Sequence, residues 1–125
     1  LGRIVAEIDE VTTRVVLSEL VELARNNPQL TEGRVMCLAR RDEQKGTDYL
    51  GTLRAYLDSF GDIGAAAKAI NVHPNTLRYR LRRLAEVSGL DLLDPDDRLV
   101  AELQLRFLRT PERATGRTTT TEGEA

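Results

Sequence analysis

An all-α fold, a helical bundle of about six helices, follows from three observations. Apolar residues recur at spacings of three and four, and no stretch alternates apolar with polar residues as a half-buried strand does. Aromatic residues make up 4% of the chain and Trp is absent, while apolar residues reach 41%. That balance favours aliphatic helix packing over a large β-sandwich. Gly, Asn and Pro fall where successive helical patterns end. A length of 125 residues suits one domain, or one small domain with extra helices and a tail.

The first helix is expected over residues 3–26. Ile4, Ile8, Val11 and Val15 follow a 4-3-4 spacing, and Val16, Leu20 and Leu23 form a second stripe. Val and Thr at 11–16 weaken its intrinsic propensity. "NNP" at 26–28 ends it. A second helix spans about 33–45 and is closed by Gly46. Thr47 is placed to cap a third, 48–60, with Leu50, Leu53, Leu57 and Phe60 on one side and Gly61 at its end. Asp62 can cap a short Ala-rich helix, 63–70. After "NVH" a helix runs from Pro74 to about Ser88 and stops at Gly89. Asp94 caps the last helix, with Pro95 at its first position and Asp96 and Asp97 in the first turn, where acids suit the dipole. Leu99, Leu103 and Phe107 lie along it. Residues 110–125, "TPERATGRTTTTEGEA", are too polar to order themselves and read as a disordered tail.

Three segments result: N-terminal helices in 1–46, a second helical domain in 47–109, and the tail. The N-terminal part is a candidate dimerisation helix or link to an upstream region. Its 4-3-4 spacing fits a coiled-coil seam, which Ser18 and Glu22 interrupt. The chain begins with Leu1 rather than Met, which points to a piece of a longer or processed protein. The single cysteine, Cys37, excludes a disulfide framework and reads as a small buried hydrophobe. No signal peptide or membrane-length apolar run is visible, so the expected location is the cytoplasm.

The net charge of −2 does not suggest a nucleic-acid binder, but the total hides an uneven distribution. Residues 1–33 carry six acids and three arginines, whereas residues 62–90 carry five bases (Lys68, Arg78, Arg80, Arg82, Arg83) and two acids. A polyanion responds to the local sign. The stretch "NVHPNTLRYRLRRL", 71–84, concentrates that charge. On a helix starting at Pro74 and advancing ~100° per residue, Leu77, Leu81 and Leu84 share a narrow arc. The opposite arc carries Asn75, Tyr79, Arg82 and Arg83, with Thr76 and Arg78 at its edges. Cationic, hydrogen-bonding and aromatic groups together are what reach phosphates and base edges.

What precedes the helix fits a helix-turn-helix. Ala65, Ala66, Ala67 and Ala69 let a second helix cross closely. Asn71 sits where a left-handed residue must end the first helix, a conformation Asn tolerates. Val72 plugs the core, and Pro74 presets the next helix. A tight turn between two helices is how such motifs place the second in a major groove.

These residues carry a family resemblance. "GDIGAAAKAINVHPNTLRYRLRRLAEVSGLDLLDPDDRLVAELQLRFL" resembles the C-terminal helix-turn-helix domain of PucR-type bacterial transcriptional regulators, of the purine-catabolism and sugar-diacid kind. The likeness starts near "DEQKGTDYLGTLRAYL" and runs to about Leu108, with "H-x-N-T-L-x-Y-R-L" and "SGLDLLDPDDRL" as its most specific strings. The helix-turn-helix is also similar to that of the nucleoid protein Fis. The resemblance implies sequence-specific binding of double-stranded DNA by a homodimer, transcriptional control with RNA polymerase as a possible further partner, and no cofactor. Carried onto this chain, His73, Asn75, Thr76, Arg78 and Tyr79 approach bases or adjacent phosphates, and Arg80, Arg82 and Arg83 grip the backbone. Pro74 stands where the family often has a basic residue, which removes one phosphate contact. Residues 1–40 fit the family pattern poorly, and the ligand-sensing domain that members commonly carry is not in this chain.

Two other classes, an enzyme and a protein-interaction module, compete with this reading. His73 is the single histidine and has no second His, Cys or acid pair at ligand or dyad spacing, so neither catalytic nor metal residues are expected. Asp94, Asp96 and Asp97 resemble half a cation loop, but Pro95 and the missing Gly and closing Glu argue against calcium. The rival to DNA is an acidic protein partner gripped by the 74–88 face.

Overall fold

The computed structural model describes residues 2–109, Arg3 by its backbone alone. The tail expected at 110–125 lies outside the described residues. Six α-helices follow one another: α1 (Gly2–Asn26), α2 (Arg34–Lys45), α3 (Tyr49–Asp58), α4 (Ile63–Ala69), α5 (Pro74–Ser88) and α6 (Pro95–Arg109). A 3-10 turn, Pro28–Thr31, links α1 to α2, and no strand occurs among the described residues. Thr31–Arg106 forms one compact unit, while the described residues up to Leu30 and from Phe107 to Arg109 belong to a second.

In the second unit, α1 ends where Asn27 folds back, its side-chain amide donating to the Leu23 carbonyl at 2.8 Å. Leu17, Leu20 and Val21 are half-buried and Ala24 is buried. Ile4, Ile8, Val11 and Val15 are exposed. The covered stripe is therefore 17-20-21-24, one position off the expected 16-20-23, and Val16 and Leu23 face solvent.

The core of Thr31–Arg106 is aliphatic. Val35 and Leu38 of α2, Leu53, Ala55 and Leu57 of α3, Ala66 and Ala67 of α4, and Leu77, Leu81 and Leu84 of α5 close on one another. This compact unit includes α2, which packs on α3 and α5. On α6 the buried face is Ala101, Gln104 and Leu105, while Leu99 is exposed. A count of large apolar residues misses that face because a small residue and an amide share it with a single leucine. The Gln104 amide donates to the Glu32 carbonyl at 3.1 Å, which makes its burial tolerable. Cys37 is half-buried rather than buried, with its thiol 3.7 Å from the Val87 carbonyl.

Two carboxylates, not Thr47, cap α3. Asp48 accepts from the Gly51 amide at 3.0 Å. Asp42, on the last turn of α2, accepts from the Tyr49 and Leu50 amides at 2.8 and 3.0 Å. The Thr47 hydroxyl only donates to the same Asp42 carboxylate. Three of the orphan amides that open any helix are satisfied this way. The α3 end also differs from expectation. Phe60 adopts φ 54 and is 96% exposed, with its amide bonded to the Leu57 carbonyl and that of Gly61 to Tyr56. The left-handed turn swings the ring off the apolar side of α3, so α3 stops at Asp58.

Asp42→Ala is expected to destabilise the chain by about 1–3 kcal/mol in urea unfolding, because it orphans two helix-opening amides at once. Thr47→Ala should cost clearly less. The reverse order would return the capping role to Thr47.

Candidate nucleic-acid interface

The turn between α4 and α5 is a left-handed helix stop. Asn71 has φ 59, its amide bonds to the Lys68 carbonyl at 3.1 Å, and the Val72 amide bonds to the Ala67 carbonyl at 3.0 Å. This pair of bonds is the Schellman pattern, which needs a left-handed residue that Asn supplies at modest cost. Val72 follows and packs against the core. Ala66 and Ala67 are buried where α5 crosses α4, whereas Ala65 and Ala69 remain exposed.

His73 opens α5 as its N-cap. Its Nδ1 accepts from the Asn75 amide at 3.0 Å, and its carbonyl accepts from the Leu77 amide. With Nδ1 accepting, the ring proton sits on Nε2, so the exposed edge of His73 offers a donor. Pro74 occupies the first helical position, where its missing N–H costs nothing. Gly89, at φ 79, ends the helix.

Leu77, Leu81 and Leu84 are all buried, and that burial sets which face of α5 looks outward. Asn75, Thr76, Arg78, Tyr79 and Arg82 are exposed on it. Arg80 and Arg83 are half-buried. Arg80 lies nearer the core arc than the other arginines, as its position on the helix requires.

The exposed groups are organised in pairs. Arg78 donates to the Asn75 side-chain carbonyl at 2.8 Å. The Arg82 guanidinium lies 5.8 Å from the centre of the Tyr79 ring, within cation–π range. Arg83 donates to Glu86 at 2.8 Å. Hydrogen bonding to Glu86 raises the Arg83 guanidinium above its usual value, with Tyr49 adding to the effect. Among the described residues no acid pairs with Arg78, Arg80 or Arg82. The face therefore presents three cations free of acids and one already compensated. Sequence reasoning missed Glu86 on this face, although its spacing of three from Arg83 is a pairing signal. It also missed the cap role of His73, because His is not among the usual cap residues.

These features have a match among known proteins. Residues 49–107 match the family model of the PucR C-terminal helix-turn-helix domain. This segment is a PucR helix-turn-helix domain. An uncharacterized protein of Mycobacterium tuberculosis is 47% identical over 55 residues, which is 44% of this chain and 13% of that protein. The purine catabolism regulatory protein of Bacillus subtilis is 37% identical over 67 residues, 54% of this chain and 13% of that protein. A solved regulator of polyketide synthase expression from Bifidobacterium adolescentis is 38% identical, with a TM-score of 0.46 over 50% of this chain and 26% of its own. The chain thus spans about an eighth of the length of the two curated relatives. The PucR match begins at Tyr49, the first residue of α3, and ends within α6. It encloses the whole turn and the whole of α5. Among the described residues no cluster is arranged to hold a metal ion, and no helix is long and apolar enough to cross a membrane.

His73→Ala is expected to lower stability by about 0.5–2 kcal/mol in urea unfolding, and His73→Asn to restore most of it, since Asn caps through its own oxygen. Equal stability of the wild type and the Ala variant would remove the cap role.

Proposed function

We propose that the PucR domain binds operator DNA with α5 in the major groove, and that the chain acts as a homodimer on two half-sites to control transcription. The observation that carries this reading is the outward face of α5. Acid-free arginines, a polar first turn and an exposed Tyr79 share one helix surface held in place by three buried leucines.

Arg78, Arg80 and Arg82 supply affinity through phosphates, which is sequence-independent and salt-dependent. Arg83 contributes less than the others because Glu86 already compensates it. Asn75, Thr76 and Tyr79 supply specificity. The Asn75 amide keeps its NH2 group and one carbonyl lone pair for a base edge while Arg78 holds the other. The Nε2–H of His73 donates to a phosphate or base acceptor beside the helix start. Activation would bring RNA polymerase in as a second partner, and the working location would be the cytoplasm.

Selection from random duplex DNA with this chain at moderate salt tests the reading, and an enriched motif is the expected result. A folded protein that enriches nothing would shift the assignment to an acidic protein partner. Arg82→Ala should weaken binding to all duplexes similarly and reduce the salt slope by about one unit. Glu86→Gln should strengthen binding to all duplexes by about two- to fivefold, the scale of one exposed charge interaction. Asn75→Ala should cost about 1–3 kcal/mol at one base position and relax preference there. If preference survives at every position, Asn75 is a first-turn residue and not a reader.

A further inference from the structure

We propose that the exposed apolar face of α1 is an antiparallel seam that joins two copies of this chain through Ile4, Ile8, Val11 and Val15. This deepens the homodimer part of the function proposed above and rests on it. The four side chains are between 49% and 58% exposed, although each is branched and apolar. They fall within an arc of about 60° at ~100° per residue, which is the narrow stripe of a two-helix seam and not the broad face of a core helix. The covered side chains of the same helix, Leu17 to Ala24, lie on a different face. The helix therefore has one covered apolar face and an open one, the open stripe being flanked on one side by the exposed Val5, Val16 and Leu23.

Charge selects the occupant and its direction. In an antiparallel pair related by a twofold axis near residues 9 and 10, Ile4 meets Val15 of the second copy and Ile8 meets Val11. All four apolar positions are then used. The residues flanking the seam on one side are Glu7 and Arg14, and the same symmetry sets Glu7 against Arg14 of the other copy, twice. Opposite charges at flanking positions set partner choice and orientation in helix pairs. Within one chain Arg14 reaches Glu10 at 3.6 Å, with both side chains about two-thirds exposed, so it is held loosely enough to turn to a partner. A parallel pair fares worse. It carries Ser18 into the seam and sets Glu22 against its own copy, while Glu7 meets only Thr12. In the antiparallel pair the four apolar positions pair with one another, and neither Ser18 nor Glu22 is among them. The twofold axis also matches the self-complementary symmetry of most two-copy assemblies.

The test uses the full chain in a Cys37→Ser background, so that no native thiol competes. Ile4→Cys chains mixed with Val15→Cys chains should cross-link under mild oxidation, and each variant alone should cross-link little. Strong linkage of Ile4→Cys chains to one another would overturn the antiparallel seam in favour of a parallel one. An absence of linkage in every mixture would overturn the seam altogether. Val11→Glu supplies the second readout. Sedimentation should show it monomeric where the wild type is dimeric, binding to a single half-site should be unchanged, and binding to a two-half-site duplex should weaken at least about tenfold. A Val11→Glu chain that stays dimeric would contradict the seam. Loss of DNA binding by the wild type itself would instead defeat the DNA reading, and the cross-link would still report on the seam.

Discussion

Burial of Leu77, Leu81 and Leu84 is the constraint on which the candidate interface depends. Each of these side chains is at most 9% exposed, and burying a leucine is worth roughly 1.5–3 kcal/mol. A helix has one rotation about its axis to choose. Once three leucines face α2, α3 and α4, every other side chain on α5 has its direction assigned. The arginines point outward because the leucines point inward. The left-handed turn at Asn71 adds the second half of the constraint by setting where α5 begins relative to α4. Small residues at Ala66 and Ala67 let the two helices approach. Packing and turn geometry together position the face, and electrostatics then gives it a use.

That face is less simple than a row of cations. Arg78 is tied to Asn75, Arg82 is held near Tyr79, and Arg83 is compensated by Glu86. Each tie removes rotamer freedom before any ligand arrives, and side chains as flexible as Arg otherwise give up roughly 1.5–2 kcal/mol on being fixed. Pre-ordering lowers the cost of binding. The Glu86 contact works the other way, since the Arg83 charge is partly spent inside the protein. A helix with an overall charge of +3 over 15 residues thus offers a graded set of contacts along its length. Arg78 and Arg80 sit in its first two turns, close to His73, Asn75 and Thr76, and Arg82 follows in the third.

Much of this was legible in the sequence. Five of the six helices end within a residue or two of their expected bounds, and for four of them a left-handed position, Gly46, Gly61, Asn71 or Gly89, follows the end. The leucine arc and the outward arc of α5 could be drawn from spacing alone, and the motif "H-x-N-T-L-x-Y-R-L" carried the family. Three things could not be read. Asp42 caps a helix eight residues further on, a contact that no local pattern announces. Phe60 counted as core by its chemistry, yet a left-handed backbone at that one residue turned it out to solvent. The inward face of α6 holds Ala101 and Gln104 beside a single leucine, Leu105, so its hydropathic signal is weak, and of the louder stripe Leu99 is exposed while Leu103 and Phe107 are half-buried. In each case tertiary packing or a single backbone angle outweighed the side chain's own preference.

The outward face of α5 is the surface proposed to meet DNA. The most direct measurement is the change in backbone amide NMR shifts when a short duplex of arbitrary sequence is titrated into the chain at low salt. Non-specific binding through phosphates should suffice for a response. The largest changes are expected within residues 71–83, from the turn through the first turns of α5, with the buried leucines moving least in the side-chain spectra. Changes of similar size confined to α1 or α6, with α5 unmoved, would contradict it.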